Sequence, residues 1–433
     1  MRNDMNKTGT NKNQWLSILG VAMALGTAWA VRGQFGHEQG AAWAAAIGAL
    51  ALVVFSGRKD WYTIVLPVTL ASAVGWGMGG MISYGAIVGY GRADDFLNAG
   101  YGLLMLFVIG GLYGLIGGGL TALTLESSEK KKVQWARLMS EMVAGGLIVY
   151  GFLVMQLEIL MTPPRSEAWA FCLGAGLALL WYLARNNFSS SLRVAFITML
   201  GAGFGFAFGN FLQITGNILK INFNMWNVME YSIGFFGGLS LAYSIFTSVW
   251  PEKAIAPKPW ENRIAILISL VIIPLIVFME SLSYETLLKR LQNIGGSEEI
   301  VLLSSIVSGL LICSVFLINW VKFEKVSFNS GKSQVTFLFI SLFSAYVAVS
   351  FIVTGIFFGK VLSNHILYLV NIFIVLLLLR KSESPFFDKP ETGVSRRFLI
   401  LLPLVIAVIL LLGLILVNIH GEISGANHRF TLN

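Results

Sequence analysis

Long apolar stretches separated by short polar segments follow one another along the whole chain. Thirteen of them have about 18 residues or more, enough to cross the hydrocarbon core of a bilayer at 1.5 Å per residue. They cover residues 14–31, 40–56, 61–90, 99–125, 138–160, 168–185, 192–215, 228–249, 263–283, 299–320, 335–358, 362–379 and 397–418. The pattern predicts an all-α polytopic membrane protein with about 13 transmembrane helices.

The distribution of lysine and arginine between the connecting segments indicates the orientation. With thirteen spans, 22 of the 30 basic residues lie in the N-terminal tail and in every second loop. Cytoplasmic loops carry such an excess, so we expect a cytoplasmic N-terminus, an extracytoplasmic C-terminus and a location in the cytoplasmic (inner) membrane. Cleavage of the first span as a signal peptide after Ala28-Trp29-Ala30 is an alternative, and it would leave twelve spans in the same orientation.

Composition supports the membrane interpretation and limits the partners. The chain is 56% hydrophobic and 12% charged, whereas soluble domains have about 25% charged residues. Its formal charge of +8 follows from the loop asymmetry, so membrane lipid rather than nucleic acid is the expected partner. Cys172 and Cys313 lie in separate apolar stretches and do not indicate a disulfide, and no motif predicts a cofactor or a metal.

Glycine divides the chain into two regions, because 36 of the 46 glycines lie in residues 1–250. Small residues let transmembrane helices approach closely and permit breaks in a helix. We therefore predict five segments: a cytoplasmic tail, a Gly-rich eight-helix domain with the candidate site, a cytoplasmic linker, an apolar five-helix domain and an extracytoplasmic tail. Their bounds are 1–13, 14–250, 251–262, 263–418 and 419–433.

A weak repeat occurs in the Gly-rich region. The first, third and seventh spans read GTAWAVRGQF, AVGWGMGGMI and AGFGFAFGNF, with an aromatic residue in each at Trp29, Trp76 and Phe206. The fourth and eighth spans share LIGGGLTAL and FFGGLSLAY, and the second and sixth are looser matches. Either four tandem helical hairpins of the same orientation form this domain, or Gly-rich segments align this well through composition alone.

Polar residues of the Gly-rich region collect at the predicted outer ends of the spans. Beyond the candidate site these include Asn98, Gln156, Glu158, Thr215, Asn217 and Glu230. An ionisable residue within a span is costly and suggests function. The candidate substrate-binding residues, which we expect to line an outward-facing vestibule, are Arg32, Gln34, His37, Glu38, Arg92, Asp94, Asp95, Asn210 and Gln213.

These residue types suit a polar or anionic ligand. Arg32 has the planar fork that holds a carboxylate or phosphate bidentately, and His37 titrates near neutral pH. The structural alternative is that Arg32 pairs with Glu38 or Asp94 at the interface. In the same way, Asp94 or Asp95 suits an N-cap, and Asn210 and Gln213 share a helical face that either binds a ligand or satisfies a neighbouring helix.

Three functions fit such a chain. We expect a permease, secondary transporter or facilitator for a polar or anionic small solute. The alternative is an integral-membrane transferase acting at the extracytoplasmic face on a lipid-linked or phosphate-containing substrate, with a histidine or carboxylate as base. A structural subunit of a membrane complex is third. The sequence leaves open the solute, the coupling ion, whether the chain is an enzyme, and whether it forms a homo-oligomer or binds a partner subunit.

Overall fold

The fold is all-helical over the part of the chain that the computed structural model describes, which is residues 2–295, 297–382, 385–394 and 396–430. Both predicted tails extend beyond it, at residue 1 and at residues 431–433. The first ten helices are α1 (Arg2–Arg32), α2 (Glu38–Ser56), α3 (Lys59–Thr63), α4 (Val65–Gly80), α5 (Gly85–Tyr90), α6 (Phe96–Glu126), α7 (Trp135–Tyr150), α8 (Ser166–Arg185), α9 (Ser189–Ile218) and α10 (Met225–Phe246).

Seven further helices follow within the described ranges: α11 (Pro259–Leu267), α12 (Ile273–Val277), α13 (Tyr284–Leu291), α14 (Glu298–Glu324), α15 (Lys332–Thr354), α16 (Ser363–Lys381) and α17 (Arg396–Ile419). A π-helical segment, Gly151–Gln156, extends α7. A second, Ile268–Ile272, joins α11 to α12, and a third, Phe278–Leu282, extends α12, so that these elements form one continuous span. Short 3₁₀ turns lie at Gln292–Ile294 and Ile356–Phe358.

Eleven helical segments in the described ranges are long and apolar enough to cross a membrane, which confirms a multi-pass membrane protein. They are Gln14–Arg32, Glu38–Ser56, Phe96–Glu126, Trp135–Gln156, Ser166–Arg185, Ser189–Ile218, Pro259–Leu282, Glu298–Glu324, Lys332–Thr354, Ser363–Lys381 and Phe398–Ile419.

Two of the thirteen predicted spans differ from these eleven. The stretch 61–90 was expected as one span, but it is divided into α3, α4 and α5, of which α4 has 16 residues. The stretch 228–249 corresponds to α10, which has 22 residues, among them Glu230, and is not one of the eleven. The count of thirteen crossings therefore stays a prediction.

Six helices of the Gly-rich region form a closed ring. In the order α1, α2, α4, α6, α9 and α10, each packs against the next, and α10 returns to α1. Aromatic side chains from the three repeat-bearing helices meet at its centre: the rings of Trp29 and Trp76 lie 5.2 Å apart, and Phe206 lies 6.2 Å from Tyr113 of α6. These aromatic side chains thus form the core of the ring, and whether the segments that carry them are a true repeat stays open.

Glycines on α6 explain how the ring closes. Gly110, Gly114 and Gly118 are spaced four apart and lie against α9, where a Cβ on Gly114 would come within 2.2 Å of the Thr198 carbonyl oxygen. In a membrane, burying apolar side chains gives helices little net attraction, so they associate through close packing, which such stripes of small residues allow.

The remaining helices surround this ring. The hairpin of α7 and α8 packs through α8 onto α6 and α9, α12 and α15 lie against α2, α16 lies against α1, and α17 lies against α6 and α9. All of the membrane window of α2 is buried, compared with 17% of that of α17. The outer helices therefore provide much of the lipid-facing surface.

Contacts between loops fall into two groups, at two ends of the molecule. At one end, which we call the basic end, Arg58 reaches the Pro251 carbonyl at 2.7 Å and Lys131 reaches the Asn187 carbonyl at 2.8 Å. At the other, the Arg32 end, Arg165 contacts Glu38 at 2.7 Å. These contacts join only loops that the positive-inside analysis assigned to the same side; which end is cytoplasmic stays a prediction.

Candidate functional site

Arg32 is the last residue of α1 and is 1% exposed. The helix ends there because Gly33 and Gly36 follow, the latter with a φ of +89°, and the chain turns into α2. The guanidinium extends into the interior of the ring, 5.4 Å from the centre of the Trp29 ring and 5.7 Å from that of Tyr84. Arg32 is thus a buried cation between aromatic faces.

Glu230 of α10 is the counterion of Arg32. Nη1 of Arg32 lies 3.0 Å from both carboxylate oxygens of Glu230, which is 4% exposed. The Tyr84 hydroxyl joins the pair, accepting from Arg32 at 2.8 Å and donating to Oε1 of Glu230 at 2.5 Å. The expected alternatives, Glu38 and Asp94, are not the partners of Arg32 here.

Tyr84 reaches this pair because the third predicted span is broken. Helix α4 ends at Gly80, where a Cβ would lie 2.5 Å from the His37 carbonyl oxygen, and α5 begins at Gly85. Non-helical backbone at membrane depth is tolerated only where protein or a cavity satisfies it. The close approach of the His37 carbonyl therefore requires the glycine that ends α4.

His37 completes the cluster. Its Nδ1 lies 3.1 Å from Nη2 of Arg32, which can only donate, so the imidazole is the neutral Nε2–H tautomer. Burial and the positive charges of Arg32 and Arg165 lower the pKa of His37 to about 4, and the negative charge of Glu38 only partly opposes them. The ring also makes an edge contact with Tyr84 at 5.1 Å. At neutral pH the Arg32 cluster, defined as Arg32, His37, Tyr84 and Glu230, holds one cation and one anion.

Four buried hydrogen-bond donors in or near the Arg32 cluster have no protein acceptor among the described residues. Among the described residues, none accepts from Nε of Arg32, Nε1 of Trp29, Nε1 of Trp76 or the hydroxyl of Tyr113. The Trp76 and Tyr113 rings lie 5.2 and 5.8 Å from that of Trp29. Buried polar groups are normally satisfied, so the unpartnered Nε of Arg32 suits an oxygen acceptor from a ligand or water, whereas Nε1 of Trp76 lies against Gly117 of α6.

Gln34 and Glu38 lie beside the Arg32 cluster but have other partners. Gln34 accepts from the Ser350 hydroxyl at 2.8 Å, and Ser350 in turn lies 3.2 Å from Nε2 of His365. Glu38 forms an exposed ion pair with Arg165 at 2.7 Å. Both residues therefore lie at the edge of the buried cluster.

Arg92, Asp94 and Asp95 form a separate lip beneath the C-terminal segment 420–430, which we call the strap. The Ile423 N–H donates to the Arg92 carbonyl at 3.3 Å, and the Arg429 N–H donates to Oδ1 of Asn98 at 2.7 Å. Asp94 faces His428 at 3.9 Å. Ligand atoms of Asp94, Asp95 and His428 lie within 4.8 Å of one another.

Asp95 acts as the N-cap of α6. Its two carboxylate oxygens accept from the Asn98 N–H at 2.8 Å and the Asn98 side chain at 2.7 Å. Burial raises the pKa of Asp95, but these hydrogen bonds outweigh it and leave the pKa below its usual value.

Asn210 and Gln213 are fully buried on α9 and bond to each other at 3.0 Å. The Asn210 Oδ1 lies beside Gly91, where a Cβ would come within 2.6 Å of it. This pair belongs to the packing between α9 and the segment after α5. The nine predicted residues thus occupy several places; only Arg32, which is buried, and His37, which is exposed, belong to the Arg32 cluster.

Sequence reasoning noted Glu230 but did not select it, and it missed Tyr84. The useful signal for Glu230 was that it is an acidic residue within an apolar stretch. Tyr84 carries no such signal because tyrosines are common in membrane spans.

Comparison with protein-family models, with curated proteins and with solved structures finds no match to this chain. We therefore infer its function from the geometry of the Arg32 cluster.

Proposed function

We propose that this protein is a membrane permease for a small anionic or oxygen-rich polar solute, and that Arg32 is the residue that binds it. The observation that carries the proposal is the buried ion pair of Arg32 and Glu230 at an interrupted helix. Discontinuous helices form the substrate sites of many secondary transporters.

Stability alone gives no reason for this ion pair. Removing two charges from water costs several kcal/mol per ion, and well-packed apolar residues often replace a buried pair without loss. In a membrane protein the cost argues for a functional role.

The free donors indicate the class of solute. Nε of Arg32 and the Tyr113 hydroxyl, which lies within interaction range of the same guanidinium, are donors without an acceptor among the described residues. A carboxylate, phosphate or polyol would supply acceptors for them, and a guanidinium binds carboxylate and phosphate with particular specificity. Tryptophan and tyrosine faces would cover the apolar part of the solute.

Competition between the solute and Glu230 provides a means of coupling. An anionic solute that binds Arg32 displaces the Glu230 carboxylate, and a buried carboxylate without a countercharge favours its protonated form. One proton would then accompany each monoanion, and the net charge of the site would stay constant. His37, neutral and bonded to the same guanidinium, orients Arg32 during this exchange.

The first experiment is a solute screen on purified full-length protein. Thermal stabilisation would be measured with short carboxylates, inorganic phosphate, phosphate monoesters and polyols, and each stabilising compound would be tested for uptake into proteoliposomes with an imposed pH gradient. We expect uptake of at least one of them, abolished in Arg32→Ala and no longer driven by the gradient in Glu230→Gln.

Arg165→Ala is the matched control, because it removes an exposed arginine that also pairs with a glutamate at the same end. Variants that elute as folded protein but transport like wild type would contradict the role of Arg32. Mass spectrometry of copurifying molecules tests the rival function: a phosphate-linked lipid lost in Arg32→Ala, without any uptake, would favour the transferase.

A further inference from the structure

A cavity of about 420 Å³ lies at the basic end of the molecule, away from the Arg32 cluster. Its walls come from α4, the end of α6, the start of α7 and the start of α11. Its volume is within the range of pockets that hold small molecules. The lining is mostly apolar, from Ile64 to Val74 on one side and Leu120 and Ile264 on the others.

The mouth of this cavity lies at the level of the membrane boundary. Trp135 is the first residue of one membrane span, and Trp260 is the second residue of another. They are 38% and 56% exposed, and exposed tryptophans at span ends typically lie among lipid headgroups. From this level the apolar wall of α4 extends over ten residues, or about 15 Å of helix.

Two opposite charges line the same cavity. Lys132 is exposed and lies three residues before the span of α7, and Glu261 lies in the first turn of α11. One oxygen of Glu261 accepts from the Lys258 N–H at 2.7 Å, which fixes the carboxylate at this position. The neighbouring Lys131 is engaged elsewhere, with Glu126 at 2.9 Å. The lining therefore offers one cation and one anion beside an apolar slot.

We propose that this cavity binds a glycerophospholipid with a zwitterionic, ammonium-bearing headgroup of the phosphatidylethanolamine type. One acyl chain occupies the apolar slot along α4, the phosphate contacts Lys132, and the ammonium group contacts Glu261. Trp135 and Trp260 flank the glycerol region. This site is independent of the permease proposal, because it lies at the opposite end of the molecule.

Charge complementarity and position select this occupant. A wholly anionic headgroup would place negative charge next to Glu261, and a soluble metabolite would leave the apolar slot unfilled. A zwitterionic phospholipid of the surrounding leaflet fills the apolar slot with an acyl chain and brings a phosphate and an ammonium group to the membrane boundary.

The test is native mass spectrometry of the detergent-purified full chain, titrated with phosphatidylethanolamine or phosphatidylglycerol of identical acyl chains. For the wild type we expect tighter binding of phosphatidylethanolamine. Lys132→Ala should weaken its binding about tenfold, as loss of one charge-assisted contact worth about 1.4 kcal/mol would do. Glu261→Gln should reverse the preference toward phosphatidylglycerol, and Ala71→Trp, which fills the slot, should abolish binding of both.

Matched controls separate the site from general effects. Lys130→Ala removes a lysine that does not line the cavity, and Ala407→Trp adds the same ring to an exposed position of α17; both should bind lipid as the wild type does. Binding that is unchanged in Ala71→Trp, or a wild-type preference for phosphatidylglycerol, would overturn the proposal. The controls show what a substitution of the same size or charge does away from the cavity. A folding defect in a test variant is recognised by its elution profile.

Discussion

At the scale of single residues, the position of Arg32 decides most of the chemistry. It is surrounded by two aromatic faces, one carboxylate, one hydroxyl and one imidazole. Among the described residues, its ion pair with Glu230 is the only arginine–carboxylate pair whose two side chains are both at most 5% exposed. Its charge is therefore balanced by a specific residue rather than by solvent.

Breaking this balance should be costly. We predict that Glu230→Gln lowers the free energy of unfolding by about 3–5 kcal/mol, because it leaves the Arg32 cation buried without a countercharge. A double-mutant cycle with Arg32→Met should show that the second substitution restores much of the loss. Unfolding by SDS in mixed micelles, followed through the fluorescence of the 12 tryptophans, measures both.

The exposed pair of Glu38 and Arg165 is the control for this cycle. Its coupling energy should be about 0–1 kcal/mol, since both side chains contact solvent. Similar coupling energies for the two pairs would show that the Arg32 cluster is hydrated rather than buried.

His37 should make stability depend on pH. Its pKa falls from 6.5 in the unfolded chain to about 4 in the folded protein, so the unfolded state binds the proton more readily. The stabilisation is complete above pH 6.5 and is lost as the pH falls from 6.5 to 4. After a discount for the exposed part of the ring, it amounts to roughly 1–2 kcal/mol.

Thermal unfolding between pH 7 and pH 4 checks this prediction. His37→Asn keeps an acceptor for Arg32 but cannot titrate, so its melting temperature should fall less steeply with acid than that of the wild type. Equal slopes for His37→Asn and the wild type would contradict the assignment.

Sequence analysis located part of this cluster for a physical reason. Arg32 and His37 are conspicuous because several ionisable and amide side chains occur together in the short segment between two apolar stretches. Glu230 lies 198 residues away from Arg32 along the chain, and local spacing cannot show which of several acidic residues is its partner. Glu38 and Asp94 were reasonable candidates by proximity, but the fold directs Glu38 to Arg165 and Asp94 toward His428.

At the scale of elements, close backbone contacts determine where helices end and how they pack. The stretch 61–90 is apolar throughout, and its composition predicts one span. The interruption after Gly80 depends on the approach of the His37 carbonyl from another segment, which is a tertiary contact. Sequence therefore predicted an apolar stretch here but not its division.

The glycine stripe on α6 gives a direct test. Gly114→Ala would place a methyl group 2.2 Å from the Thr198 carbonyl oxygen, so α6 and α9 would have to separate. We expect a loss of roughly 1–3 kcal/mol, as for other overpacked interfaces, measured as a lower melting temperature in detergent. Gly151→Ala, where a Cβ meets no atom within 4 Å, should leave the melting temperature within a few degrees of wild type.

At the scale of the whole molecule, a buried ring of six helices lies within a partial shell of more exposed ones. The six ring helices all come from the predicted eight-helix domain, whose α7 and α8 lie outside the ring; the division into an eight-helix and a five-helix domain stays a prediction. Both α6 and α9 of the ring are rich in glycine. Glycine content gave no indication that one Gly-containing hairpin lies at the periphery, because helix neighbours depend on long-range contacts.

The orientation of the two ends follows from charge and can be measured. In a background with Cys172→Ser and Cys313→Ser, we expect a membrane-impermeant maleimide to label Glu167→Cys on intact cells, and Lys253→Cys only after permeabilisation. Both positions are exposed, and they lie at the Arg32 end and the basic end respectively. Labelling in the reverse order would place the N-terminus outside the cytoplasm.

The strap has a consequence for how the protein is made. Its hydrogen bonds to Arg92 and Asn98 join residues about 330 positions apart in the chain, and a growing polypeptide leaves the ribosome from its N-terminus. The lip of Arg92, Asp94 and Asp95 is therefore inserted without its cover and stays uncovered while the later helices are inserted. The strap follows α17, so translation products truncated before it should carry an uncovered lip that quality-control proteases can recognise.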